Sequence, residues 1–123
     1  GIRFDIETEM VSISGLTEAE QSILFGNLID HAIENCEEAD EQGNWIRVEI
    51  KKRMDMTLIK ISNNVVKRPL FSKKRLISSA AISSTQGYGM KSVERIVEHH
   101  DGELVQETLE DRYCVMVSFF DNI

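Results

Sequence analysis

Asn27, His31 and Asn35 recur every four residues, so on a helix their side chains stack one turn apart along one face. Amide and imidazole groups in such a row can line a ligand site; they can equally mark the solvent boundary of an amphipathic helix. Further along, Gly87-Tyr88-Gly89 stands directly before an amphipathic stretch. Glycines there let backbone approach a ligand closely, and a helix N-terminus offers unpaired amides and partial positive charge to a phosphate. An ordinary tight turn uses the same residues. The Walker lysine pattern is absent, and no strand immediately precedes the glycines, which disfavours both the P-loop and the Rossmann arrangement. Between these two places lies a nine-residue stretch with five basic residues (Lys67, Arg68, Lys73, Lys74, Arg75) and no acidic one. It reads as a local anion site or as a solvated basic loop.

The elements that must position these residues fit one domain spanning 1–123, long enough for a single core between two layers. Apolar residues make up 41% and charged residues 28%, spread along the whole length, as in a globular soluble chain. The formal net charge of −7 excludes broad contact with nucleic acid, which needs a basic surface. No apolar run approaches the roughly 20 residues of a membrane span, and no secretion signal is visible, so the expected location is the cytoplasm. Cys36 and Cys114 lack metal-ligand spacing and read as reduced packing thiols.

Alternation of Ile2, Phe4 and Ile6 with charged residues predicts a half-buried first strand. Thr17 followed by Glu20 predicts a capping box opening a helix that runs to about Ala39. Its core-facing stripe is expected to hold Ile23, Leu24, Leu28, Ile29, Ala32, Ile33 and Cys36, with Asn27, His31, Glu34 and Asn35 at its edge. Residues 45–50 and 57–61 predict a hairpin turning near Met54-Asp55, followed by a long loop from Ser62 to Gln86 that carries the single proline. A second helix buries Met90, Val93, Ile96 and Val97 and ends near Asp101-Gly102, where glycine can adopt the left-handed terminal conformation. Strands 103–108 and 113–120 close the chain. This order predicts an α/β (α+β) two-layer sandwich, a mixed sheet with helices on one face.

Residues 24–34, Leu-Phe-Gly-Asn-Leu-Ile-Asp-His-Ala-Ile-Glu, resemble the N box of the GHKL superfamily, which includes histidine kinases, DNA gyrase, Hsp90 and MutL. Residues 87–98, Gly-Tyr-Gly-Met-Lys-Ser-Val-Glu-Arg-Ile-Val-Glu, resemble its later glycine box. Both occur in the right order, separated by a hairpin and a lid of about residues 65–86. The chain looks most like the catalytic ATP-binding domains of quorum-sensing sensor histidine kinases of the accessory gene regulator type. The resemblance implies a five-stranded mixed sheet with about three helices on one face (the Bergerat fold), the third being short and within 70–82. It implies ATP and Mg²⁺ as cofactors. It also implies a histidine protein kinase of a two-component system, whose phosphoacceptor lies on a separate dimerisation domain, within a homodimeric, membrane-bound sensor whose cytoplasmic part docks a response regulator. This domain itself touches neither membrane nor nucleic acid.

Carried over by position, Asn27 and His31 fall at metal–phosphate positions, with Asn35 one turn on. Gyrase-like hydrolases place a water-activating glutamate where Asn27 stands, and a neutral amide is no general base, so the resemblance implies transfer rather than hydrolysis. His31 replaces the family's characteristic Mg²⁺-binding asparagine, a departure because Mg²⁺ prefers oxygen. Ser62-Asn63-Asn64 replaces the usual Asp-x-Gly-x-Gly: Asn63 takes the adenine-receiving position, with Asn64 beside it. Gly87, Tyr88, Gly89 and Met90 present amides to the phosphates, and Lys91 adds positive charge. No catalytic residue is assigned, since the acceptor histidine is missing; His31, His99 and His100 are not expected to be phosphorylated. The departures motivate an alternative, a degenerate GHKL module that binds nucleotide or protein without phosphotransfer. A third reading, an anti-sigma-factor type kinase, is disfavoured by the neutral Asn27.

Overall fold

In a computed structural model of the chain, the described residues are 2–8, 13, 15–37, 43–65, 74–76, 87–109 and 111–120. They form β1 (Ile2–Thr8), α1 (Glu18–Glu37), β2 (Asn44–Arg53), β3 (Met56–Asn64), β4 (Lys74–Leu76), α2 (Gly87–His99), β5 (Glu103–Thr108) and β6 (Arg112–Phe120). One mixed sheet has the order β1-β2-β3-β6-β5-β4. β1 and β2 run parallel, with Phe4 opposite Ile46, and α1 is the crossover that a parallel pair requires. Every other pairing is antiparallel. The five longer strands are those the alternation predicts; β4 adds a three-residue edge beside β5. Apart from residues 74–76, which form β4, the stretch expected to hold a third helix lies outside the described residues, as does most of the expected lid.

Both helices pack on one face of the sheet, making a two-layer α/β sandwich. α1 lies over β2 and β3, and α2 over β5 and β6. The register aligns Val48, Ile61 and Val115 across three strands, and Ile59, Val117 and Leu104 across three. These side chains meet Leu24, Leu28, Ala32 and Cys36 of α1 and Met90, Val93, Ile96 and Val97 of α2 in one core. The predicted face of α2 is buried in full. On α1 the stripe is rotated from expectation: Ile23 is 46% exposed, whereas His31, expected at the edge, is only 6% exposed. The buried row Leu24-Leu28-Ala32-Cys36 advances by four and so drifts about 40° round the helix at each step, which carries the adjoining row 23-27-31-35 from solvent at Ile23 toward the core at His31.

β1 is also more exposed than its alternation suggests. Phe4 and Ile6 face the helix side of the sheet but remain 46% and 64% exposed, because α1 sits over the two strands beyond. On the opposite face Arg47 of β2 bridges Asp5 and Glu7 of β1, tying the edge strand on through charge. Cys36 and Cys114 are buried thiols outside any disulfide, as expected; the Cys114 thiol lies 3.4 Å from the Ser62 hydroxyl on the face away from the helices.

The turn after α2 corrects one expectation. Asp101, not Gly102, takes the left-handed conformation, with φ 54°. Gly102 N donates to Val97 O at 2.9 Å and Asp101 N to Glu98 O at 3.2 Å, the paired bonds of a Schellman stop. Glycine is required at 102 for another reason: a Cβ there would lie 2.5 Å from the Ser118 carbonyl. The close approach of the turn to β6, rather than a positive φ, selects the residue.

Candidate functional site

The site lies where the middle of α1, the start of α2 and the ends of β3 and β6 converge. α1 is positioned by its cap. Thr17 N donates to Glu20 Oε1 and Glu20 N to Thr17 Oγ1, both at 3.0 Å, the reciprocal capping box read from the sequence. The Thr17 backbone amide, and after it the His100 side chain, hold the Glu20 carboxyl below its ordinary range.

Two turns into α1, Asn27 Nδ2 donates to the Ile23 carbonyl at 2.9 Å, which turns Oδ1 outward. That oxygen meets α2: a Cβ built on Gly89 would stand 3.1 Å from it. The two segments that the sequence singles out are therefore in contact. α2 begins at Gly87, so the amides of residues 87–89 precede the first intrahelical bond and have no helical acceptor. Its first turn contains no acidic residue, in contrast to Glu18 and Glu20 in α1, so no side-chain carboxylate there offsets the partial positive charge of its N-terminus. Met90 is 1% exposed and belongs to the core, leaving only its backbone to the site, while Lys91 is half-buried.

His31 is buried with its ring against Tyr113 of β6, centroids 5.5 Å apart. Asn35 Nδ2 donates to the His31 carbonyl at 2.8 Å and lies 3.3 Å from His31 Nε2. The Asn35 amide nitrogen therefore lies against both the carbonyl and the ring of His31. Asn35 thus positions His31.

Asn63, at the end of β3, is 1% exposed on the helix-facing side, paired with Ile46 and Tyr113. Its Nδ2 donates to the Asn64 carbonyl at 2.9 Å, which fixes the amide and presents Oδ1 as an acceptor. Asn64 is not brought to the site. One residue on, it faces the other way, accepts from Trp45 N at 2.8 Å and donates to Asn44 Oδ1 at 3.2 Å, which pins the start of β2 to the end of β3.

Two residues missed in the sequence join this corner. Tyr113 is 9% exposed, and its hydroxyl has no hydrogen-bond partner among the described residues; burial pushes its phenol well above the ordinary range, with Cys114 a lesser cause. Gln106 of β5 is 2% exposed and its Nε2 is likewise unpartnered. The register places it diagonally across from Tyr113 on the same face. Buried polar atoms without partners are costly and point to something that satisfies them. The available signal was the inward-facing series Leu104, Gln106, Thr108, in which polar residues replace apolar ones as β5 approaches the site.

Residues 16–119 match the GHKL domain family. The chain belongs to that family. No curated protein matches the sequence. Among solved structures, this GHKL domain is similar to the catalytic domain of the histidine kinase ThkA in a nucleotide-free form, with a TM-score of 0.73 at 18% identity over 98% of this chain and 80% of that one. It is similar to the Acinetobacter baumannii histidine kinase AdeS, with a TM-score of 0.72 at 11% identity, covering 99% of this chain and 55% of that one. The mycobacterial sensor histidine kinase MprB gives 0.66 at 14% identity over 99% of this chain and 86% of that one. At these identities the likeness establishes a shared fold, that of histidine kinase catalytic domains.

Proposed function

We propose that this GHKL domain binds ATP and presents it for phosphoryl transfer to a histidine on a separate dimerisation domain, as the catalytic part of a sensor histidine kinase. The observation that carries this reading is the contact between Asn27 Oδ1 and Gly89, which joins an amide oxygen to the amide-rich start of α2. A triphosphate seated there meets unpaired N–H donors and the positive end of a helix that has no acidic residue in its first turn.

Asn63 Oδ1 is the acceptor for the adenine amino group, doing with a neutral amide what a carboxylate does in relatives. Tyr113 OH and Gln106 Nε2 supply further polar atoms, directly or through water, at the base end. Mg²⁺ commonly takes one or two protein ligands and completes its shell with water and phosphate oxygens, so the single oxygen of Asn27 is a sufficient protein contribution. When bound, the ion neutralises phosphate charge. His31, held by Asn35 with its ring against Tyr113, serves as a wall of the site rather than as a ligand.

The transfer breaks the bond between the γ-phosphorus and the β–γ bridging oxygen and forms a phosphorus–nitrogen bond on the acceptor imidazole, leaving ADP. Such chemistry rests on positioning and electrostatics, and a neutral Asn27 withholds the general base that hydrolysis would use. Among the described residues no helix is long and apolar enough to cross a membrane. We place the domain in the cytoplasmic part of a homodimeric sensor of the peptide-quorum-sensing type, serving a response regulator.

The test is a calorimetric titration with a non-hydrolysable ATP analogue, with Mg²⁺ and again with a chelator. Saturable binding that weakens on chelation is the expected result. Binding indifferent to Mg²⁺ would remove the role given to Asn27, and no binding would indicate a domain that has kept the fold and lost the nucleotide.

A further inference from the structure

At the opposite end of the helix pair, three metal-ligating side chains converge. The carboxylate of Glu20 in α1 and the imidazoles of His99 and His100, at the end of α2 and in the turn after it, each offer one ligand atom, and these atoms lie within 4.8 Å of one another. We propose that Glu20, His99 and His100 form a binding site for a divalent transition-metal ion of the zinc class.

The donor set decides the class. Two neutral imidazoles and one carboxylate suit Zn²⁺ and its borderline neighbours, whereas Mg²⁺ and Ca²⁺ want oxygen only. Three protein ligands plus water complete a tetrahedral shell. His100 Nε2 now donates to Glu20 Oε2 at 2.9 Å, so an ion would displace that proton and separate the two atoms by a few tenths of an ångström.

Each ligand is oriented by contacts the metal does not supply. Glu20 Oε1 is held by Thr17 N in the capping box, which leaves Oε2 to the site. The His100 ring stands edge-on to buried Phe119 at 6.3 Å. The Schellman stop and the approach of Gly102 to the Ser118 carbonyl fix the turn that carries it. His99, edge-on to His100 at 5.0 Å, is exposed and provides the route of entry. Such supporting contacts, which set ligand direction in advance, are a regular companion of metal sites.

The site's place in the fold suggests its effect. Glu20 near His100 and Asn27 near Gly89 show that α1 and α2 run antiparallel. The seven residues from Glu20 to Asn27 span about 10 Å of helix. An ion here clamps the far end of the helix pair whose near end carries the Asn27–Gly89 contact.

The experiment is a titration of the 123-residue chain with Zn²⁺ in competition with a chromophoric chelator, with histidine side-chain NMR signals followed in parallel. One equivalent should bind, the His99 and His100 ring nitrogens should shift while His31 does not, and the thermal midpoint should rise. Glu20→Gln keeps a residue able to complete the capping box, so it tests the ligand without removing the helix cap. That variant, and separately His99→Gln with His100→Gln, should each weaken Zn²⁺ binding by at least about tenfold. Absence of saturable binding in the parent chain overturns the proposal. So does affinity that survives both sets of substitutions, or a response centred on His31.

Discussion

The Oδ1 of Asn27 faces Gly89 so closely that a single added methyl group at 89 would stand 3.1 Å from it. Alanine is worth up to about 1 kcal/mol over glycine inside a helix, so Gly89→Ala gains helix propensity and spends it on crowding Asn27. The net change in folding stability should stay within about 1 kcal/mol. Nucleotide affinity should nevertheless fall about tenfold, since a displacement costing about 1.4 kcal/mol suffices. Denaturant unfolding and calorimetry on the same sample check both halves; unchanged affinity would separate Gly89 from the phosphate site.

The orientation of the Asn63 amide makes a prediction about the base. With Nδ2 committed to the Asn64 carbonyl, Oδ1 can receive the amino group of adenine but has nothing to offer the carbonyl of hypoxanthine. ATP should therefore bind at least about tenfold more tightly than inosine triphosphate, because the latter leaves a buried acceptor opposite an acceptor. Asn63→Ala should lower ATP affinity and shrink that preference. Equal binding of the two nucleotides by the parent protein would show that Asn63 does not read the base.

How much of this was legible beforehand follows from the kind of signal each residue leaves. Strand alternation and the four-residue rows of the helices are set by burial, so the five longer strands, both described helices and the face of α2 could be read directly. The capping box was readable because its two bonds are local. Whether a polar residue on the flank of α1 is buried depends on what β6 places opposite it. His31 therefore looked like an edge residue until Tyr113, 82 positions away, was set against it. Asn63 and Asn64 differ only by strand parity at the very end of β3, and one has its side chain in the site while the other ties β2. Gly102 illustrates a further limit: sequence reveals that a glycine stands there but not that the Ser118 carbonyl excludes a side chain.

Tyr113 carries a buried hydroxyl without a partner among the described residues, a desolvation cost left uncompensated there. Tyr113→Phe removes the oxygen and keeps the ring against His31, so the nucleotide-free domain should gain about 1 kcal/mol. The pH dependence follows from the raised phenol pKa. The unfolded chain ionises first, near the ordinary value of 10.0, so the folded state loses stability as pH rises above that value while the buried phenol stays protonated. Urea midpoints measured below and above pH 10 should decline less steeply for Tyr113→Phe than for the parent.

Glu20 gives the opposite sign. Its folded-state carboxyl is held below the ordinary 4.5 by the Thr17 amide and His100, so its contribution is fully present above that pH and is lost as pH falls through the lowered value. Glu20→Gln replaces the charge while keeping a capping side chain, and should flatten the acid limb of the stability curve between about pH 5 and 3. An acid limb identical to the parent's would show that the bonds to Thr17 and His100 do not favour the ionised form in solution.

The three histidines bear on whether the domain can phosphorylate itself. His31 is buried, with its ring packed on Tyr113 and its Nε2 3.3 Å from the Asn35 amide, so the ring is not open to in-line attack on a phosphorus. His99 lies at the end of α2, and twelve residues of helix separate it from Gly87, about 18 Å. His100 is one residue further and bonded to Glu20. An acceptor must come within about 3.5 Å of the phosphorus to react, so neither His99 nor His100 can reach a nucleotide seated at the start of α2. Incubation with γ-labelled ATP should leave this chain unlabelled; on the proposed function, a histidine-bearing dimerisation domain from the same protein, supplied separately, should become labelled on histidine. Label appearing on the 123-residue chain alone would mean that the nucleotide sits elsewhere or that a second copy presents its His99.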